Sequence, residues 1–461
     1  MSSIPADRHL RGQLKTRQVT MISMAGIIGA GLFIGSASAI ALAGPAAVLA
    51  YLFTGTIVVL VMRMLGEMAV SQPDSGSFST YADRAIGHWA GFSIGWLYWW
   101  FWVCVLPVES IAGAAIIHSY IPDVPVWLIS LVIVLVLMCT NLLSVKGYGE
   151  LEFWFSLIKV VAIVAFIVIG ILAVCGVLPV PEQGGFGRLT QLGGFAPHGV
   201  SSIISCILIT AFSFFGAEIV TIAAAESHDP VKQITRATNL VVWRIMIFYL
   251  LSIFLAVCIV NWNDPQLVKV GTFQRALEVL QIPGAKIIVD MVVLTAVTSC
   301  MNSALYTSSR MMFSLGQRGD APKAMGRLAK NGVPRKAVVA STLVGIIASL
   351  CNFLFPGEVF HTLLATTGAV ALLVYIVIAV SQIRMRYQLQ AEGKVPKLKM
   401  WLFPGLSYAT ILALLAVLGY MVWAPSFHTE TVMTGTVAVI VVVMGLCNGA
   451  RKKKFTLQQT A

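Results

Sequence analysis

Charge is what this chain lacks. Asp, Glu, Lys and Arg make up 11% of its 461 residues, where soluble domains carry about a quarter. With 58% hydrophobic residues and a mean hydropathy of +0.87, the composition excludes an ordinary soluble protein. Paired cysteine motifs are missing as well. The eight cysteines fall singly in different apolar runs with no Cys-x-x-Cys, which suggests neither a disulfide framework nor a zinc site. The seven histidines are scattered and form no His-Glu-x-x-His, so metal catalysis has no visible ligand set and no metal ligand is expected. A Walker A loop is absent, which argues against an ATP-driven pump. An integral-membrane enzyme would need a nucleophile and base or a metal constellation, and the sequence displays neither. Short alternating segments of the transmembrane β-barrel kind are also missing.

What is present is a series of long apolar runs. A bilayer core takes ~20 apolar residues per helix, and about twelve such segments lie near residues 19–41, 45–70, 92–119, 125–144, 151–177, 200–225, 238–261, 285–313, 335–355, 358–381, 402–424 and 430–449. The fold class expected is therefore all-α integral membrane, with little chain left for a soluble domain. Residues 1–18 read as a cytoplasmic N-terminus, 19–449 as one transmembrane domain, and 450–461 as a basic cytoplasmic tail. Cleavage of the first apolar run as a signal peptide is not expected, because that run is too long for a signal h-region.

The net charge of +12 follows the loops. With the N-terminus inside, 25 of the 31 Lys and Arg residues fall on the inner side, four on the outer side (Arg188, Lys269, Arg275, Lys286) and two within helices (Lys159, Arg244). That bias sets topology and predicts both termini in the cytoplasm. It implies contact with anionic membrane lipid and no nucleic-acid partner.

The most informative stretch is Ser23-Met-Ala-Gly-Ile-Ile-Gly-Ala-Gly-Leu-Phe-Ile-Gly-Ser36. It is apolar enough to enter a membrane, yet Gly26, Gly29, Gly31 and Gly35 interrupt it. Glycine weakens a helix interior by about 1 kcal/mol relative to Ala and lets other groups approach the backbone. A spanning helix opened in this way survives only where it is buried in protein or lines a cavity. The sixth run carries a comparable interruption, Phe212-Ser-Phe-Phe-Gly-Ala-Glu218. Paired interruptions in corresponding helices of two halves point to inverted repeats with a binding site between them. The repeats would span about 19–177 and 200–381, with the helices at 402–449 as additions; no residue-level repeat is evident.

Ionisable residues inside spanning runs need a reason. Glu109, after Pro107 in the third run, is either a hydrogen-bonded structural carboxyl or part of a transport pathway. Lys159, within Phe155-Ser-Leu-Ile-Lys-Val-Val-Ala162, is either a structural ion-pair partner or a proton carrier whose charge responds to burial and nearby carbonyls or carboxylates. Glu218 brings a carboxylate to mid-membrane depth. The segment Gln72-Pro-Asp-Ser-Gly-Ser-Phe-Ser79 reads as a loop, and Trp89, Trp96, Trp99, Trp100 and Trp102 read as an interfacial belt in preference to a cation-binding aromatic cage. Glu226 reads as interfacial. The hydroxyls and amide from Thr295 to Ser309 serve either helix packing or a pathway, and Thr366-Thr-Gly368 is a weaker candidate for the same cavity.

These strings, together with Asn302-Ser-Ala-Leu-Tyr-Thr-Ser-Ser-Arg310 and Arg318-Gly-Asp-Ala-Pro322, resemble amino-acid permeases of the amino acid/polyamine/organocation superfamily over nearly the whole chain. Within it, Glu218-Ile-Val-Thr-Ile-Ala-Ala-Ala-Glu-Ser227 and Leu372-Leu-Val-Tyr-Ile-Val-Ile-Ala-Val-Ser-Gln-Ile-Arg-Met-Arg386 look most like bacterial 4-aminobutyrate (GABA) permeases. The resemblance implies about twelve transmembrane helices in a five-plus-five inverted repeat (LeuT-like), with discontinuous helices 1 and 6. It also implies import of a small amino acid, most similar to 4-aminobutyrate, by proton symport across the inner membrane, with a proton gradient and no cofactor. Other amino acids and antiport stay open, and the oligomeric state is not indicated. By the same resemblance the substrate carboxylate would meet N–H groups of Ala30 and Gly31, and its ammonium carbonyls of Ile27, Phe212 and Phe215, with Gly26, Gly29, Ser213 and Gly216 completing the site. Lys159 corresponds to a helix-5 lysine that replaces a bound sodium ion in some relatives, and Glu218 and Glu109 are the other candidates for coupling the proton. Related arginine antiporters have Ser where this chain has Ala30 and Trp where it has Phe212, which speaks against arginine.

Overall fold

The apolar runs fold into helices in a computed structural model, which describes residues 16–460 apart from 26–27, 75, 144, 179–184, 191, 226, 228, 330, 356–362, 364–366 and 368. Among the described residues ten helical stretches are long and apolar enough to cross a membrane, and Val126–Leu142 is a shorter apolar helix. The first of the ten, Gly31–Ser71, holds parts of two spans separated by a 3-10 turn at Gly44–Ala46. The chain is an all-α integral membrane protein with the five-plus-five arrangement expected, and its first and sixth spans are discontinuous.

The first span consists of α1 (Thr16–Ala25), α2 (Ala30–Phe33) and α3 (Gly35–Ala43). It is followed by α4 (Ala47–Ser71), the short α5 (Ser77–Ala85), α6 (His88–His118), α7 (Val126–Leu143) and α8 (Val145–Val174). The second half opens with the broken span α9 (Gly199–Phe214) and α10 (Ile219–Ala225). The seventh span joins α11 (Pro230–Arg244) to α12 (Ser252–Ile259) through a π-helical segment, Ile245–Leu251. After α13 (Leu267–Val270) and α14 (Thr272–Val279) come α15 (Ala285–Arg318), α16 (Arg335–Leu354), α17 (Val370–Ala391), α18 (Gly405–Trp423) and α19 (His428–Thr460).

The scaffold centres on α6 and α15, the third span of each half, which pack against one another more extensively than any other pair. Small residues allow the close crossings. At Gly66 on α4 an added Cβ would lie 2.6 Å from Thr238 Oγ1 on α11. The last span, by contrast, turns Val432, Val439, Ile440 and Val443 outward, as lipid-facing residues do.

Several expectations change. The tenth span, expected at 358–381, is described as α17 from Val370 to Ala391, so its polar inner end continues as helix well past the apolar run. The segment read as a loop at 72–79 contributes Ser77, Phe78 and Ser79 to α5, all fully buried. The eighth span, expected at 285–313, runs on to Arg318, and Arg310, counted with the inner side, lies within it, buried over the Tyr306 ring at 4.7 Å. The tryptophans are not one belt. Trp89 is exposed, but Trp96 and Trp99 donate inward to the Asp320 carbonyl and Ser341 Oγ, and Trp102 is buried. An indole N–H that finds a partner inside lets the ring pack in the core.

Candidate functional site

The two breaks meet at the centre of the molecule. In the first span Ile28 is non-helical, Gly29 bends, and the helix restarts at Ala30 with Leu32 N–H donating to the Gly29 carbonyl at 3.3 Å. In the sixth span α9 stops at Phe214, Phe215 is extended (φ −66°, ψ 137°) and Gly216 takes φ +109°. That last conformation suits a residue without a Cβ. The halves are stitched together by Ser213 Oγ, which donates to the Gly31 carbonyl at 2.8 Å. The contact is tight because Gly31 has no side chain; a Cβ there would sit 3.0 Å from Ser213 Cα.

Several of the backbone groups freed at the breaks take polar partners from side chains, as buried backbone requires. The Ser213 carbonyl accepts from Tyr249 Oη at 3.1 Å, and Tyr249 lies in the π-helical segment of span seven. The Gly216 N–H donates to Glu218 Oε2 at 3.1 Å, while Tyr98 Oη donates to Glu218 Oε1 at 3.0 Å. The Ile28 carbonyl accepts from Lys159 Nζ at 3.1 Å.

Between the breaks lies a cavity of about 20 Å³, far smaller than a ligand site of ~300 Å³ or more, so this conformation is nearly closed over the site. Gly29, Gly31 and Ser213 form its backbone side, and Glu109 and Cys300 its other polar edge. Its apolar walls are Phe101, Trp102, Val105, Phe212 and Phe215. Phe215 is held in an aromatic cluster, 4.2 Å from Phe101 and 5.5 Å from Tyr375 between ring centroids. Glu109 comes close to the broken backbone, since a Cβ on Gly29 would lie 3.0 Å from its Oε1. The arrangement sets a short polar strip of backbone and one carboxylate beside an aromatic wall, which suits a small solute with polar ends and an apolar middle.

Of the expected site residues, Gly29, Gly31, Phe212, Ser213, Phe215 and Glu109 line this cavity together. Ala30 begins the second half of the first span, and only its backbone is described; Gly26 and Ile27 lie outside the described residues. Gly216 and Glu218 stand behind Phe215, where Glu218 closes the break and does not line the cavity. Lys159 is fully buried and approaches the first break through the Ile28 carbonyl. In the tenth-span candidate, Thr367 is buried, whereas Thr366 and Gly368 lie outside the described residues, as does Glu226.

Sequence reading missed Phe101, Val105 and Trp102 as wall residues. Phe101, Val105 and Glu109 share i, i+4, i+8 spacing, one stripe of a helix, and that pattern was available. It also missed Glu152. Ser299 Oγ donates to Glu152 Oε1 at 2.5 Å and accepts from Lys159 Nζ at 2.8 Å. Glu152 precedes Lys159 by seven residues, two turns on the same helix face, which is the signal that could have found it. The polar run of the eighth span divides its work. Ser299 and Asn302 enter this buried network, while Thr295 and Thr298 bond back to the carbonyls of Met291 and Leu294.

Comparison with known proteins follows the same outline. Residues 18–461 match the family model described as amino acid permease. A probable GABA permease of Pseudomonas aeruginosa is 57% identical over 98% of this chain and 96% of its own length. The gamma-aminobutyric acid permease of Escherichia coli K12 is 54% identical with the same coverage, and an aromatic amino acid transport protein of Corynebacterium glutamicum is 39% identical over 88% of this chain and 89% of its own. Among solved structures, a mutant of the Eremococcus coleocola manganese transporter superposes with a TM-score of 0.61, covering 97% of this chain and 94% of that one. At 11% identity that likeness is one of fold alone.

Proposed function

The chain belongs to the amino acid permease family, and from that premise, which makes it a transporter and not an enzyme, we propose that it imports 4-aminobutyrate with a proton by alternating access. The inner membrane is its location, with both termini in the cytoplasm, as the basic residues gathered at that end favour. The observation that carries the coupling is the bond from Lys159 Nζ to the Ile28 carbonyl, at the first break. A protonated lysine holds that carbonyl, and a neutral one holds it less strongly, so proton occupancy biases the geometry of the half-helix that meets substrate.

Substrate sits between the breaks. N–H groups at the start of the second half of span one, Ala30 and Gly31, meet its carboxylate, since helix N-termini carry partial positive charge. The carbonyls of Phe212 and Phe215, with Glu109 at the cavity edge, meet the ammonium. Phe101 and Trp102 join Phe212 and Phe215 as apolar walls along the three methylenes that separate the two charges in 4-aminobutyrate. The names of the relatives at 57% and 54% identity support the same substrate.

The test is uptake of labelled amino acids by vesicles carrying the protein, with and without an inward proton gradient. Accumulation of 4-aminobutyrate that collapses with the gradient is expected. Accumulation that ignores the gradient, or that appears only in vesicles preloaded with another amino acid, would replace symport by antiport. Lys159→Arg is expected to lose gradient-driven accumulation, because a guanidinium stays protonated and cannot discharge.

A further inference from the structure

Lys159 can hold a proton, but a coupled carrier must also release it on the side toward which substrate moves. We propose that Glu152 is the inward proton relay of this transporter, receiving the proton of Lys159 through the hydroxyl of Ser299. The proposal rests on the reading that Lys159 carries the coupled proton.

The three groups form a directed chain. Lys159 has three N–H donors and uses them on the Ile28 carbonyl and on Ser299 Oγ, at 3.1 and 2.8 Å. Ser299 accepts from the ammonium and donates its own hydroxyl proton to Glu152 Oε1 at 2.5 Å. The second carboxylate oxygen is held by Asn302 Nδ2 at 3.3 Å, and Asn302 Oδ1 in turn accepts from Asn141 Nδ2 at 2.9 Å. All of these side chains are buried. A charge pair that served packing alone would be tighter as a direct contact; here a hydroxyl able both to accept and to donate stands between the charges.

The transfer balances. The ammonium N–H breaks as a new O–H forms on Ser299, while the original Ser299 O–H breaks and a new O–H forms on Glu152. No electron changes hands, and an ion pair becomes an amine and a carboxylic acid. Direction follows from the helix. Glu152 lies seven residues nearer than Lys159 to the start of α8, or about 10 Å along the axis at 1.5 Å per residue. That start is the basic end, where Arg17 pairs with Glu150.

Other ionisable groups stand around the chain without interrupting it. Cys300 on α15 and Glu109 on α6 face Lys159 from the cavity side. Tyr249 of the π-helical segment is turned to the Ser213 carbonyl, and Cys258 and Arg188 interact near the far end of α8. Cys139 on α7 is exposed.

The full chain in vesicles separates two activities: accumulation under an inward proton gradient, and counterflow of labelled against preloaded 4-aminobutyrate with no gradient. Counterflow needs substrate binding and movement but no net proton release. Glu152→Gln and Ser299→Ala are expected to reduce accumulation to the level reached without a gradient while counterflow continues, and Ser299→Thr, which keeps the hydroxyl, is expected to restore accumulation. Wild-type accumulation in Glu152→Gln, alongside failure of Lys159→Arg, would overturn the relay and leave the lysine reading intact. Normal accumulation in Lys159→Arg would remove that reading itself. Loss of both activities in Glu152→Gln, with the protein inserted, would make Glu152 a structural group and overturn the relay as well.

Discussion

Single residues at the breaks decide whether the site exists. Gly31 is the sharpest case, because a Cβ there would lie 3.0 Å from the Ser213 backbone and 3.2 Å from its hydroxyl. Gly31→Val adds branched bulk where the second half of span one begins. It is expected to abolish 4-aminobutyrate binding while the protein still inserts; normal affinity in an inserted mutant would remove the first-span site. Glu218 presents a different balance. Its two oxygens accept from Tyr98 and Gly216, and an amide in Glu218→Gln turns an NH₂ toward one of those donors. Leaving one buried polar group unsatisfied costs about 1–3 kcal/mol. The mutant is expected to melt earlier and to show a displaced pH–uptake profile. An unchanged profile would confine Glu218 to holding the break together.

At the scale of elements, the break in span six depends on conformation more than on contact. Gly216 holds φ +109° between Phe215 and the restart of helix at Ile219. A side chain in such a region costs about 1–3 kcal/mol. Gly216→Ala is expected to lower the melting temperature in detergent and slow uptake together, since relief of the strain draws the segment toward continuous helix. Full uptake at wild-type stability would mean that another residue sets the break. The π-helical segment of span seven belongs to the same device. It carries Tyr249, whose hydroxyl caps the carbonyl that the break exposes at Ser213. A π segment adds a residue to a turn and re-aims the side chains that follow.

For the whole molecule, the basic end ties the two halves to the last spans. Glu67 on α4 is buried, pairs with Arg386 Nη1 at 2.9 Å, accepts from Gln382 and accepts the Met400 N–H at 2.5 Å. One carboxylate thus joins the second span, the tenth span and the connection to α18. Breaking a buried pair from one side costs about 3–5 kcal/mol. Glu67→Ala is expected to lower the melting temperature strongly and to open the connection 392–404 to protease. Resistance equal to wild type would show that the connection is held by other contacts. Substrate order is tested at this scale too. Because aromatic walls stand beside the cavity's polar edge, 4-aminobutyrate is expected to compete better than alanine or arginine, and the reverse order in a competition assay would keep the permease and discard this substrate.

Much of this was legible in residue order alone. Hydrophobic run length determines spans, loop Lys and Arg bias their orientation, and glycines in Gly29-Ala-Gly31 and Phe215-Gly216 show where a helix opens, because lipid offers the backbone no other partner. Lys159, Glu109 and Glu218 stood out for the same reason, as charges that hydrocarbon does not tolerate. Tertiary structure alone decided which of them share a space. Glu109 joins the cavity, Glu218 turns behind Phe215, and Lys159 meets Glu152 through a serine from the opposite half of the chain. Run length and local spacing describe one helix at a time. The partner that a buried polar group finds depends on how two helices cross, and the residues that meet there, Lys159 and Ser299, stand 140 positions apart.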